Sequence, residues 1–431
     1  MENEESDSAR SQWNQAVQGQ PSGGGTRRNE MTSSNHLRLS LLRCVAAALL
    51  VSAFVARPGS AADTCSRSPV DTLSIRGDEL VIDGTAEFLP FVTYFDALRA
   101  TEAQWDADLN YFCAHGIRGV RIFANWRVGA APQSTISTSL NPDGTLVQES
   151  RVEGNGQRLF RAVSVLDQFL DTARSKGIVV ELVFDSDTGL SSRNAWASGV
   201  LNVVSRYAGS RRHLLLDVAN EYPAHDLKPC DIASLLSGST IEMPAYGPSC
   251  VGSLTVSTNI RAIDPQRIVT ASADPGGIVH VFRVPESRVS PVAAAATYAS
   301  LMGLDIVTFH DGRPGNPGET PGWAARTGEI VDALRAHAGE RARPIFLDEP
   351  CRVGNTASTR HCPKTAAPYV QAAAQAREHG AAAWTYHTET GMGPYAAGRS
   401  FITGARGSAV DSGVIGVPLD NGARKPLAIR R

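Results

Sequence analysis

Eight apolar runs of strand length recur along this chain, separated by segments with helical spacing, and few folds accommodate such a rhythm. The runs begin at Glu87 (EFLPFVTYF), Gly119 (GVRIFANW), Ile178 (IVVELVFD), Leu214 (LLLDVAN), Arg267 (RIVTASAD), Asp305 (DIVTFHD), Pro344 (PIFLDE) and Ala381 (AAAWTYH). Near-continuous apolar strands bury both faces, as strands do in a parallel sheet covered by crossover helices. Eight strand–helix units predict an α/β chain closed into a single (β/α)8 TIM barrel over residues 63–431, with its functional groups at the carboxyl ends of the strands. A doubly wound open sheet is the rival architecture, but no Gly-x-Gly-x-x-Gly opens a helix after any of these strands.

The intervening segments carry helix signals. Thr101 and Gln104 form a capping-box pattern ahead of Trp105, Leu109 and Phe112 at helical spacing. Leu159, Val163, Leu166, Phe169 and Leu170 make a second stripe, stopped by Gly177. Thr320-Pro321 is expected to open another helix, with proline where its missing N–H costs nothing. Gly116, Gly177 and Gly380 each stand just before a strand, and TLSIRGDELVIDG reads as a small hairpin ahead of the barrel. Long segments follow strands two, four and seven (about 127–157, 222–250 and 350–365), on the face where a barrel keeps its site. Little chain follows strand eight, so the last helix is expected to be short and to start near Lys425.

Residues 1–35 are polar and rich in Ser, Gly, Gln and Asn, a composition of disorder or of a start-site extension ahead of Met31. Residues 36–62 have the plan of a signal peptide: Arg38 and Arg43, an apolar run from Cys44 to Ala56, then small residues Ser60-Ala61-Ala62. The run is short for a permanent membrane span, and an uncleaved anchor is the alternative. Secretion, to the exterior or a periplasm, is therefore expected. Beyond Cys44 six cysteines remain, an even number that favours disulfides in an exported chain. Cys230–Cys250 and Cys351–Cys362 would each close one loop, which leaves Cys65–Cys113. No CxxC spacing suggests zinc, and a net charge of −2 with no basic run gives no reason to expect nucleic acid.

The ends of the strands are polar. Arg121 lies inside strand two and Trp126 at its end; Asp185 and Asp187 follow strand three. Asn220 and Glu221 end strand four, His310 and Asp311 strand six, and Glu349 strand seven, while Trp384, Tyr386 and His387 lie on strand eight. Two apolar strands that each deliver a glutamate suit glycoside hydrolysis, in which one carboxylic acid protonates the leaving oxygen and the other attacks or stabilises the sugar. Glu181, in mid-strand, is expected to be paired structurally, and Asp185 and Asp187 to be solvated.

In order and strand placement, ANEYP, LDEP, VRIF, FHD and AAWTYH together resemble glycoside hydrolase clan A, the (β/α)8 families that include cellulase-like family five. The resemblance implies Glu221 as acid/base, Glu349 as nucleophile and Asn220 on the sugar 2-hydroxyl. It places Arg121 and His310 beside the nucleophile, and Trp384 as the floor of the sugar subsite. Trp126 would stack on a second sugar and Tyr386 would contact substrate. There are two departures. Gly312 stands where the clan carries a tyrosine two residues after the histidine, so a tyrosine tuning the nucleophile would come from Tyr386 or Tyr222, or be absent. The fourth strand ends Asn-Glu-Tyr, with Pro223 one place late. The implied protein is a monomeric, retaining hydrolase of β-linked glucan, mannan or a similar saccharide. It needs no cofactor and no metal, and keeps no stable membrane attachment after signal cleavage. A non-catalytic carbohydrate-binding barrel is the rival of a different class. A metal-dependent barrel hydrolase is a third reading, but it lacks a His/Asp ligand cluster at suitable strand ends.

Overall fold

The structure is a computed structural model that describes residues 65–94, 97–124, 162–184, 193–221, 235–236, 259–273, 291–310, 323–338, 341–350, 362–363, 365–387 and 414–415. Strands β1 (Leu73–Arg76), β2 (Glu79–Ile82) and β3 (Thr85–Ala86) form the expected hairpin, extended to three antiparallel strands. It turns at Gly77 and Gly84, whose φ of 65° and 86° would strain any residue with a Cβ.

All eight expected barrel strands are present: β4 (Leu89–Thr93), β5 (Gly119–Phe123), β6 (Val179–Val183), β7 (Leu214–Asp217), β8 (Val269–Thr270), β9 (Val307–Phe309), β10 (Ile345–Leu347) and β11 (Ala383–Tyr386). They pair in parallel in the order β8-β7-β6-β5-β4-β11-β10-β9, so the first barrel strand bonds to the last. A single parallel bridge, Ala273 to Phe309, joins the two ends of that order and nearly closes the barrel. Strand β8 is shorter than its apolar run because beyond Thr270 the Ser272 N–H donates to the Asp217 carboxylate (3.0 Å) rather than to β7 backbone.

Helices α1 (Glu102–Ala114), α2 (Ala162–Ser175), α3 (Arg193–Arg206), α4 (Ile260–Ile263), α5 (Pro291–Leu301), α6 (Trp323–His337) and α7 (Ala366–Glu378) alternate with the strands. The α1 capping box is complete: Gln104 N–H donates to Thr101 Oγ1 (3.3 Å) and Thr101 N–H to Gln104 Oε1 (2.8 Å). Trp105, Leu109 and Phe112 of α1 and Leu166, Phe169 and Leu170 of α2 are buried against the outer face of the strands. Gly116, Gly177 and Gly380 take positive φ (84°, 67° and 81°), as chain reversals before a strand require.

Alternation divides the strand residues between two cores. Val120, Ile122, Val180, Leu182, Leu214 and Leu216 face the helices. Leu89, Phe91, Val179, Leu215, Ile268, Ile306, Phe346 and Ala383 fill the amino-terminal half of the barrel interior, where Leu73, Leu80 and Ile82 of the hairpin pack onto them. Phe91 and Phe346 meet there with ring centroids 4.8 Å apart. Gly119 is obligatory at this level, since a Cβ would come within 2.3 Å of the Phe91 ring.

Cys65 and Cys113 form the expected disulfide, tying the segment before the hairpin to α1. Cys362 is also disulfide-bonded. Its expected partner Cys351, the Cys230–Cys250 pair, the 1–62 leader, the Thr320-Pro321 helix start and the Lys425 helix lie outside the described residues. Among the described residues no helix is long and apolar enough to cross a membrane.

Candidate active site

Above the apolar floor the barrel interior turns polar. Each of the eight strands supplies a buried polar side chain, at its middle (Arg121, Glu181, Thr308) or toward or just past its carboxyl end (Thr93, Asp217, Thr270, Asp348, Thr385). Arg121, fully buried, is the hub. Its Nε lies 2.7 Å from Asp348 Oδ1 and 3.8 Å from Glu181 Oε2. Nη1 donates to Glu349 Oε1 at 3.0 Å. Nη2 donates to Asn220 Oδ1 at 2.6 Å and lies 3.6 Å from Asp217 Oδ2.

One guanidinium thus faces four carboxyl groups in a space from which water is excluded, and the acids cannot all hold charge. Burial is the main force on the two deepest. It pushes Glu181 well above the carboxylate range, helped by Asp348 and only partly opposed by Arg121. It pushes Asp217 up to about 6 against the pull of Arg121. Both oxygens of Glu181 lack a hydrogen-bond partner among the described residues, consistent with a neutral acid. His310 moves the other way. Burial would strip its proton, but Glu349, Asp348 and Glu221 together outweigh burial and hold the imidazolium well above its usual range. A proton on Glu181, joined below about pH 6 by one on Asp217, eases this crowding of acids around Arg121.

Asn220, Glu221, His310 and Glu349 sit at the mouth of this interior. His310 Nδ1 lies 3.3 Å from Glu221 Oε1 and 3.3 Å from Glu349 Oε2, and its Nε2 is 3.4 Å from Asp348 Oδ2. One oxygen each of Glu221 and Glu349 and one nitrogen of His310 all lie within 4.8 Å of one another. The Glu221 side chain is 23% exposed and that of Glu349 5%, so solvent reaches the first and scarcely the second.

Glu221 has φ of 49°, the left-handed region that a residue with a side chain enters only when its surroundings compel it. A relay supplies the constraint. Asp217 accepts from the Ala219 N–H (3.2 Å), the Ser272 N–H (3.0 Å) and the Ser272 hydroxyl (2.6 Å), while Glu221 N–H donates to Ser272 Oγ (3.3 Å). The acid three residues before Asn220 thereby fixes the turn that aims Glu221 at Glu349.

Five of the expected site residues, Arg121, Asn220, Glu221, His310 and Glu349, are thus brought together. Trp384 and Tyr386 are not. Both are fully buried in the layer between strands and helices, with Tyr386 edge-on to Tyr369 of α7 at 5.5 Å. The expected roles, a sugar floor for Trp384 and substrate contact or nucleophile tuning for Tyr386, call for the inner face, and both side chains lie in the outer core. The reason is the period of two: on β11 the inward set is Ala383, Thr385 and, just past the strand, His387. Trp126, Asp185, Asp187 and Tyr222 lie outside the described residues. Glu181 is buried with the cluster, as a mid-strand pairing requires. The sequence reading left Asp217, Asp348 and Ser272 without a role. Counting in twos from the inward apolar residues Leu215 and Phe346 leads to Asp217 and Asp348.

Among the described residues two groups have the spacing of a cation site, Glu221–His310–Glu349 and Glu181–Asp217–Asp348, each with ligand atoms within 4.8 Å. In both, the chain itself supplies the cation: His310 is a member of the first, and Arg121 faces every acid of the second.

Among solved structures, the fold is similar to a protein described as a glycoside hydrolase, with a TM-score of 0.53 and 13% identity over 80% of this chain and 73% of that one. It is also similar to a glycoside hydrolase family 5 protein from Bacteroides vulgatus, with a TM-score of 0.50, 15% identity and 76% of this chain covered. The chain spans 65% of the length of that second structure. At these identities the likeness establishes the barrel fold. No family model matches the sequence, and no curated protein matches it.

Proposed function

We propose that the protein is a secreted, retaining glycoside hydrolase that cleaves β-linked glucan- or mannan-type saccharides by double displacement. The observation that carries this reading is the approach of Glu221 and Glu349, whose oxygens lie within 4.8 Å at the carboxyl ends of β7 and β10. Retaining enzymes hold the two carboxyl groups about 5–5.5 Å apart, whereas inverting enzymes leave about 6.5–9.5 Å for a water. The similar folds of two proteins described as glycoside hydrolases support the reading by analogy.

The roles follow from the surroundings. Glu349, beside Arg121 and nearly closed to solvent, is the nucleophile in this reading. Glu221, more exposed, is placed to protonate the leaving oxygen and then to take a proton from the incoming water. Asn220 has its oxygen engaged by Arg121, so what it offers a sugar hydroxyl is its amide NH2. His310 balances charge between the carboxylates as one loses its proton and the other becomes an ester. The Cys65–Cys113 disulfide supports passage through an oxidising compartment.

Product stereochemistry tests the mechanism. Proton NMR during the first turnovers of a β-glycoside should show the β-anomer forming first, with the α-anomer growing only by mutarotation. An α-anomer appearing first would contradict the double displacement.

A further inference from the structure

We infer that His387 is a positioning residue for Glu349, holding its Oε1 through Nε2–H so that the bond to the sugar is made by Oε2. The chemistry rests on the glycosidase reading above, whereas the geometry does not. His387 is fully buried on the inner face just past β11, and its Nε2 faces Glu349 Oε1 at 3.3 Å, with the ring turned off the line of a hydrogen bond, an alignment that a bound substrate can tighten. Arg121 Nη1 reaches the same oxygen at 3.0 Å. The other oxygen, Oε2, lies on the side of His310 and, through it, of Glu221. The carboxylate is therefore held unequally. Arg121 donates to Oε1 and His387 Nε2 approaches the same oxygen, while Oε2 is turned toward the acid/base, where a scissile bond would have to lie.

The second nitrogen of His387 decides whether the ring can do this. Its Nδ1 is 2.8 Å from the buried Thr93 Oγ1. A threonine hydroxyl that donates to Nδ1 leaves the ring proton on Nε2, aimed at the carboxylate. The opposite tautomer would turn the Nε2 lone pair on an anionic oxygen in a site without water to separate them. Thr93 on β4 and His387 beyond β11 thus act as a unit across a pair of hydrogen-bonded strands.

In the first step Oε2 attacks the anomeric carbon, the bond to the leaving oxygen breaks, and the Glu221 proton moves to that oxygen. Oε1 becomes the carbonyl oxygen of the ester and keeps both donors. In the second step water attacks the same carbon, its proton passes to Glu221, and the C–Oε2 electron pair returns to the carboxylate. The charge that reappears is shared with Oε1, where Arg121 and His387 meet it. Loss of the His387 donor therefore slows both steps rather than weakening substrate binding.

Two measurements test this in the full chain. The first is the ring ¹⁵N–¹H spectrum of ¹⁵N-histidine-labelled protein, with the His387 signals assigned by their loss in His387→Gln. A neutral ring protonated at Nε2, whose Nε2 shift moves in Glu349→Gln and whose tautomer is scrambled in Thr93→Val, is the expected result. A ring protonated at Nδ1 alone overturns the inference whether or not any glycoside is turned over. The second is kinetic, on an aryl β-glycoside that the wild type cleaves. Misplacing a reacting group costs about 10- to 100-fold, so His387→Leu should lose about that in kcat with KM little changed. His387→Gln, which returns an N–H near the Nε2 position, should recover most of it. A folded His387→Leu enzyme with wild-type kcat overturns the inference. Absence of turnover by the wild type counts against the hydrolase reading, and the spectrum then decides the inference alone.

Discussion

Arg121 meets four carboxyl groups with one positive charge, and the rest of the site adjusts around that imbalance. Glu181 answers it by keeping its proton, Asp217 by holding one up to about pH 6, and His310 by keeping its charge. The sign for stability follows from Asp217, which burial raises from 3.8 to about 6 in the folded chain. A raised acid favours folding fully at pH below its unfolded value, and that advantage is lost as pH rises through its folded one. Wild type should therefore lose stability relative to Asp217→Asn between about pH 4 and pH 6, by on the order of 2 kcal/mol. Parallel denaturant titrations of the two proteins check this, and a difference that stays flat across the interval would show that Asp217 does not hold a proton there. Single residues were also where the sequence was least legible. Arg121, Asn220, Glu221, His310 and Glu349 stand out because they interrupt or end apolar runs. Asp348 and Asp217 look like ordinary strand-end acids until the barrel closes and aims them at one guanidinium.

At the scale of elements, the apolar runs announce the eight barrel strands because burial on both faces leaves few polar positions. Their inner and outer faces are harder to read for the same reason. Trp384 and His387 differ by one odd step along one strand, and so point to opposite sides of the sheet. An indole beside strand-end acids reads as a sugar platform, yet the period of two sends it to the helix layer. The length of β8 was likewise hidden, because the Ser272 N–H bonds a side chain rather than a strand. Helix starts were legible where the cap is local. Thr101 and Gln104 satisfy each other across the first turn of α1, so Thr101→Ala should destabilise the protein by about 1 kcal/mol. Thermal unfolding of that variant provides the measurement, and an unchanged midpoint would mean the cap contributes nothing to the folded chain.

For the whole barrel, two levels divide the labour. The amino-terminal half is an apolar plug of Phe91, Phe346, Leu215 and their neighbours, sealed by the hairpin. The carboxyl half is a buried polar layer, and at its mouth Glu221 and Glu349 stand just past the ends of β7 and β10. Only closure of the sheet brings those strands within reach, which is why the pairing of two glutamates far apart in sequence was legible as an expectation and their distance was not. The central claim, that Glu349 is the nucleophile of a retaining enzyme, is tested most directly by azide rescue. Wild type and Glu349→Ala would be assayed on aryl β-glycosides with and without sodium azide. We expect the variant to lose about 10⁴-fold or more in kcat and to recover partly with azide, yielding the inverted α-glycosyl azide. A Glu349→Ala enzyme that keeps wild-type turnover, or that yields no glycosyl azide while Glu221→Ala does, would contradict the assignment.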